Sequence, residues 1–245
     1  MKNSSRTVLL TGAAGGIGRS IAKRLATDGY KLVLTDIVSC DDVIEEEGLR
    51  GAVVHTARCD LSSSADVNAF LDDMNQRTQV DILINNAAHM ALMPFDDMTV
   101  DHLQIFLRVD IEAAFLLSQF VSKGMRERGW GRIVNVVSSS AWAPSPYMVG
   151  YITAKMGLVG LTRALAVELA PGGISVNAIT PSLTRHAGIA DKLPEVVWET
   201  DRNRQAIKRT GVPEDMVGAV AFMISDDAAF MTGQTMVVDG GMVFL

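Results

Sequence analysis

The chain has 245 residues, with 22 Lys and Arg against 28 Asp and Glu and 48% hydrophobic residues, the balance of a soluble globular protein. A formal net charge of −6 argues against a protein built around the phosphates of nucleic acid or an anionic membrane surface, both of which select clustered Lys and Arg. Cys40 and Cys59 form no C-x-x-C pair, and His55, His89, His102 and His186 show no metal-ligand spacing, so reduced thiols and no metal are expected.

Met1 to Arg6 leads into a short apolar run, Val8-Leu9-Leu10, too short for a signal-peptide core or a membrane span, which makes a cytoplasmic protein the simplest reading. Strands are predicted over 7–11, 31–36, 52–58, 81–85, 131–137, 175–179 and 235–238, most of them near-continuously apolar, as strands covered on both faces should be. Helical periodicity runs over 17–28, 65–77, 100–128, 151–170 and 213–225, with Pro213 in a first turn. Alternation of this kind predicts one α/β domain over 1–245, a doubly wound Rossmann-type fold with a seven-stranded parallel sheet flanked by helices on both faces. Segment 182–210, holding Pro194, Trp198 and several Lys and Arg, resists assignment and is read as an irregular substrate lid.

The first strand runs into Thr11-Gly12-Ala13-Ala14-Gly15-Gly16-Ile17-Gly18 and then a helix. Glycines at such a turn let backbone N–H groups approach a pyrophosphate that the helix N-terminus stabilises. Asp36 closes the second strand, where a carboxylate can accept from both ribose hydroxyls of an adenosine and repels a 2′-phosphate. The following Ile37, Val38 and Ser39 supply no cation, so NAD is favoured over NADP. Tyr151 and Lys155 share a helix face at i and i+4, and an ammonium beside a phenol favours phenolate, the form a general base needs. Ser138, at the end of the fifth strand, stands where open α/β sheets place their ligands.

These motifs, in this order, resemble those of the short-chain dehydrogenase/reductase family over essentially the whole chain. The glycine turn is similar to the family's cofactor loop, Cys59-Asp60-Leu61 to its adenine-contacting turn, and Asn85-Asn86-Ala87-Ala88 to its N-N-A-G strand end. Asn135-Val136-Val137-Ser138 resembles the catalytic serine strand, Tyr151-Ile152-Thr153-Ala154-Lys155 the Y-x-x-x-K helix, Asn177-Ala178-Ile179-Thr180-Pro181 the segment before the nicotinamide, and Val238-Asp239-Gly240-Gly241 the C-terminal signature. The resemblance implies that Tyr151 exchanges a proton with the substrate oxygen, Ser138 orients that oxygen, and Lys155 holds the nicotinamide ribose. It implies NAD contacts from Gly12, Gly16, Ile17, Gly18, Asp36, Asp60, Leu61, Asn86, Ala87, Tyr151, Lys155, Pro181, Ser182 and Thr184.

Three departures stand out. Val109-Asp110-Ile111 occupies the family's V-N-x run, whose asparagine holds a water of the proton relay. Asp110 preserves the role if a backbone carbonyl at a helix distortion carries it, and alters hydrogen bonding and the lysine's surroundings if the amide is needed. Ala88 replaces a glycine. Pro181-Ser182-Leu183-Thr184 replaces P-G-x-x-x-T with His186 at the threonine position, leaving Thr184 to take over the carboxamide contact and His186 either a polar substrate contact or a solvated loop residue.

His89, Met90, Ser140, Trp142, Met148 and His186 are the candidate substrate contacts, with Met93, Tyr147 and Trp198 nearby. This mostly apolar set suits a hydrophobic or aromatic secondary alcohol better than a polyol. Gly129-Trp130-Gly131-Arg132, Pro181-Ser182-Leu183 and Ser225-Asp226-Asp227 are similar to runs in NAD-dependent 1-phenylethanol-type dehydrogenases. Helices 100–128 and 151–170 are apolar on more than one face, and the resemblance implies a homotetramer that pairs them, with Met242-Val243-Phe244-Leu245 docked at another interface. Two other readings stand beside this one: a 3-oxoacyl thioester reductase, against which Asp36 counts, and a non-catalytic NAD-binding regulatory protein.

Overall fold

The computed structural model describes residues 6–245; the leader reading rests largely on Met1 to Ser5 and lies outside them. Seven strands form one parallel sheet in the order β3-β2-β1-β4-β5-β6-β7: β1 Thr7–Thr11, β2 Lys31–Asp36, β3 Val53–Arg58, β4 Ile82–Asn85, β5 Gly131–Val136, β6 Ile174–Pro181 and β7 Thr235–Val238. The chain winds outward one way through β3 and returns to pair β4 with β1, so a topological switch point opens at the C-terminal ends of β1 and β4.

Alternation along each strand divides the core between two faces. Val8 and Leu10 of β1, with Leu32 and Leu34 of β2, pack under helix α1, Gly16–Thr27, through Ile21 and Leu25. Met216, Val220 and Met223 of helix α8, Glu214–Met223, close the same layer. Leu9, Val33, Leu83 and Ile133 face the other way, onto Phe70 and Met74 of helix α3, Ser64–Arg77, and Leu117, Val121 and Met125 of helix α5, Ala113–Arg128. Helix α6, Val149–Leu169, joins that layer with Ala166 and Leu169. The α3 terminus is fixed by Ser63, whose hydroxyl accepts from the Asp66 N–H, and α5 ends on left-handed Gly129.

Three predicted features are corrected. The helix read as continuous over 100–128 is helix α4, Val100–Leu107, then a π turn over Arg108–Glu112, then α5. A short helix α2, Asp41–Glu46, stands where no element was predicted. Segment 182–210 is not wholly irregular: helix α7, Glu195–Arg204, lies within it, anchored by the fully buried Trp198, whose indole N–H donates to the Leu193 carbonyl. Both Cys40 and Cys59 are buried free thiols, each pushed up to about 11 by burial and neighbouring carboxylates. Among the described residues no helix is long and apolar enough to cross a membrane.

Candidate active site

The switch point holds a cleft of about 560 Å³ whose floor is the turn after β1. A Cβ on Gly18 would stand 2.1 Å from the Gly12 carbonyl oxygen, so only glycine lets α1 begin this close to the strand end. Helix α1 has no side-chain cap and no acidic residue in its first turn, which leaves its leading N–H groups and positive dipole end to the cleft that Gly15, Gly16, Ile17 and Gly18 line. Asp36 braces this turn from β2: its Oδ2 accepts the Ala14 N–H at 2.9 Å and its Oδ1 the Val38 N–H at 3.3 Å.

Farther along the cleft, the Asp60 carboxylate accepts from the N–H and hydroxyl of Ser62, with Leu61 beside it. Asn86 spans the gap between β4 and the glycine turn, its amide donating to the carbonyls of Thr11 and Gly12 at 3.0 and 2.9 Å. The Thr11 hydroxyl accepts from the N–H groups of Asn86 and Ala87 in return. From sequence, Thr11 and the cleft-lining Val109 were named only as members of the glycine-turn and Val109-Asp110-Ile111 runs, with no contact assigned to them, and the cleft-lining Ile105 was not named. Positions 105 and 109 are four residues apart and share a helix face next to Asp110, a spacing by which the sequence could have pointed to them.

Catalytic candidates gather at the end of β5. Lys155 is fully buried in α6, its ammonium donating to the Val136 carbonyl at 2.9 Å and paired with the Asp110 carboxylate at 2.8 Å. The end of α4 and the π turn reach α6 because glycines face them: a Cβ on Gly150 would stand 2.5 Å from Phe106 of α4, and one on Gly157 2.4 Å from Ile111 of the π turn. Asp110 also accepts the His89 N–H on its Oδ2 at 3.1 Å, which ties the segment after β4 to the same carboxylate. Burial would lower the Lys155 ammonium, but Asp110 and Tyr151 outweigh it and hold the group above its ordinary value. Tyr151 lies in the first turn of α6, its ring centre 5.6 Å from the Lys155 Nζ. Ser138 sits two residues beyond β5, and its Oγ accepts the Ser140 N–H at 3.2 Å. Next to it, Ser139 donates to Asp239 at 2.8 Å, and that carboxylate also accepts the N–H groups of Gly241, Met242 and Val243.

Several predicted contacts sit elsewhere. The Ser182 hydroxyl accepts from the Gln205 amide, and the buried Thr184 hydroxyl donates to the Ser182 carbonyl; neither lines the cleft, because the chain after Pro181 pairs back against Gly211. His186 does line it, lying on Gly16 of the glycine turn rather than on the substrate side. His89 reaches the cleft and packs edge-on against Phe106, whereas Met90 is exposed. Ser140, Trp142 and Met148 lie between β5 and α6, outside this cleft. Arg204 of α7 donates to the Ala143 carbonyl at 3.2 Å, so segment 182–210 closes onto the loop that follows Ser138.

Sheet order and cleft together define the Rossmann class of α/β proteins. A family model described as enoyl-(acyl carrier protein) reductase matches residues 12–243. The subunit BbsD of (2S)-[(R)-hydroxy(phenyl)methyl]succinyl-CoA dehydrogenase from Thauera aromatica is 34% identical over 240 residues, covering 97% of this chain and 96% of that protein. Among solved structures, a putative NAD(P)-dependent gluconate 5-dehydrogenase from Beutenbergia cavernae with bound NADP superposes with a TM-score of 0.92 at 32% identity, covering 98% and 97% of the two chains. An NAD+-bound xylitol dehydrogenase superposes with a TM-score of 0.89 at 30% identity, covering 98% of this chain and all of the other. The chain belongs to the short-chain dehydrogenase/reductase family, oxidoreductases that act on CH–OH or carbonyl groups.

Proposed function

We propose that the protein is an NAD-dependent oxidoreductase interconverting a hydrophobic or aromatic secondary alcohol and its ketone. The observation that carries this reading is the fully buried Lys155, held charged by Asp110 beneath Tyr151 at the end of β5. A charge taken so far from water is costly to keep, and catalysis by the adjacent phenol gives it a use.

The cleft fits a nicotinamide dinucleotide: a Cβ on Gly18 would close the cradle, and the free first turn of α1 suits a pyrophosphate. Gly12, Gly16, Ile17 and Gly18 would hold the phosphates, Asp36 the adenosine ribose, Asp60 and Leu61 the adenine, and Asn86 and Ala87 the middle of the molecule. Lys155 and Pro181 complete the nicotinamide end. Asp36 favours NAD, since its carboxylate would face a 2′-phosphate with no cation among Ile37, Val38 and Ser39. Bound there, the dinucleotide supplies the hydride acceptor for oxidation and the donor for reduction.

In oxidation Tyr151 takes the proton of the substrate hydroxyl at its phenolate oxygen, and in reduction it returns one. Ser138 donates to the substrate oxygen and fixes its distance from Tyr151. Lys155 favours the phenolate and offers its remaining N–H to the ribose, two directions being taken by Asp110 and Val136. Apolar and aromatic groups after β4 and β5, Met90, Trp142 and Met148 with His89 and Ser140, bound the substrate side, and segment 182–210 acts as its lid. The benzylic alcohol in the name of the Thauera relative supports an aromatic substrate.

Exposed Phe115, Val149, Met156 and Val167 on α5 and α6, and Phe244 and Leu245 beyond β7, support a homotetramer in which copies cover these faces. The function is tested by following NADH absorbance with aromatic and aliphatic secondary alcohols, beside Tyr151→Phe. Turnover with NAD that falls at least about 1,000-fold in the variant is expected. Undiminished activity in Tyr151→Phe overturns the mechanism, faster turnover of 3-oxoacyl thioesters moves the substrate, and NADH binding without turnover makes the protein a non-catalytic binder.

A further inference from the structure

Left-handed backbone among the described residues is confined to glycines with one exception, Tyr147, at φ +67°. It follows Pro146 in a turn over residues 146 and 147, and a positive φ straight after a turn proline is one that glycine adopts freely and a ring-bearing residue adopts only under strain. Packing does not ask for the ring: Tyr147 is 57% exposed and belongs to none of the buried clusters. Nor is it a second general base, because the residue four positions on is Tyr151, where Tyr151 itself has Lys155. What fixes the turn is a clasp from two sides. The Tyr147 carbonyl accepts the Met93 N–H at 2.9 Å, which ties the turn to the segment after β4, where Met90 and Leu92 are exposed. Arg204 of α7 donates to the Ala143 carbonyl and the Ser145 hydroxyl at 3.2 and 3.5 Å, which docks the lid on the same stretch between Ser138 and Tyr151.

An aromatic side chain kept on strained backbone, outside the core and at the meeting of the three segments that bound the substrate side, has its use in what enters that side. We propose that Tyr147 is a specificity-determining residue, its ring the face against which the aromatic group of a secondary alcohol packs, and that the left-handed turn presents this ring at a cost in fold stability. Because the lid and the segment after β4 both hold the turn, ring and lid are positioned together. This inference rests on the alcohol and ketone reading above, and deepens it by naming the residue that selects the substrate.

The test sets activity against stability in the full chain. Tyr147→Gly relieves the strain and removes the ring, whereas Tyr147→Phe keeps both. Each is compared with the parent in kcat/KM for 1-phenylethanol and for 2-butanol with NAD, in Tm, and in light-scattering mass. For Tyr147→Gly, expected are a kcat/KM for 1-phenylethanol lower by about 10-fold and carried mainly by KM, a value for 2-butanol within about 3-fold of the parent, a Tm about 2 °C higher and an unchanged mass. Tyr147→Phe is expected to stay within about 3-fold of the parent on both alcohols. Parental activity on 1-phenylethanol in the Gly variant, or equal losses on the two alcohols, overturns the proposal, since the ring then selects nothing. A lower Tm overturns it by making the ring a structural anchor, and a smaller mass by making it a subunit contact. A parent chain that oxidises neither alcohol removes the alcohol reading itself, a failure visible before any variant is made.

Discussion

At the scale of single residues, the contact that sets this site apart is Asp110 against Lys155, two groups at most 1% exposed and 2.8 Å apart. Lys155 stays protonated across the neutral range, since its raised value puts the loss of its charge on the alkaline side. The Asp110 carboxylate is the chief partner that keeps this buried ammonium charged. With an amide of the same shape, burial is left to lower the lysine, so Asp110→Asn is expected to move the alkaline limb of a kcat/KM profile to lower pH; superimposable profiles would count against it. Asp36 makes a second residue-level case, because it braces Ala14 and, on the proposed NAD reading, would repel a 2′-phosphate. Asp36→Ser is expected to shift the ratio of kcat/KM for NAD over NADP by at least about tenfold toward NADP, read from initial rates with each cofactor. Of these features, sequence showed the types and the i, i+4 face of Tyr151 and Lys155. It did not show the ion pair, since Asp110 and Lys155 belong to helices whose approach is set by Gly150 and Gly157 meeting Phe106 and Ile111.

Among the elements, all seven strands were legible because a doubly covered strand must be apolar along its length, and the β1, β2 and β7 bounds agree to the residue. What hydrophobic pattern could not show is a π turn, since one extra residue in a turn changes the hydrogen-bond ladder without breaking apolar periodicity. Helix α7 was hidden for the opposite reason: it is largely polar and held by one aromatic anchor, Trp198, so it carries little periodic signal. Its docking is also pH-dependent. Burial, working against Arg204 and aided by Asp239, pushes the Asp201 carboxyl up to about 6. A folded value above the ordinary carboxylate range means that the docked helix prefers the proton; that contribution is full below about pH 4 and lost as pH rises through about 6. Limited proteolysis of segment 182–210 is therefore expected to quicken between pH 4 and 7 in the parent, with the change largely absent in Asp201→Asn.

For the whole molecule, alternating strands and helices predicted a doubly wound sheet, and the crossover that pairs β1 with β4 puts the cleft where such a sheet binds ligands. Apolar side chains left facing solvent on α5 and α6 mark the scale above the chain. Light scattering is expected to give four times the 26.3 kDa chain mass, and a mass of one chain would refute the tetramer. Residue order bears on the molecule's birth as well as its shape. Asp239 is the knot that gathers Ser139 and the N–H groups of Gly241, Met242 and Val243, one residue away from Ser138. During synthesis the glycine turn, Asp110, Ser138, Tyr151 and Lys155 all leave the ribosome before this knot can be tied. A nascent chain can thus assemble most of its sheet while still tethered, but its serine stays unbraced until residues 239–243 have emerged from the exit tunnel.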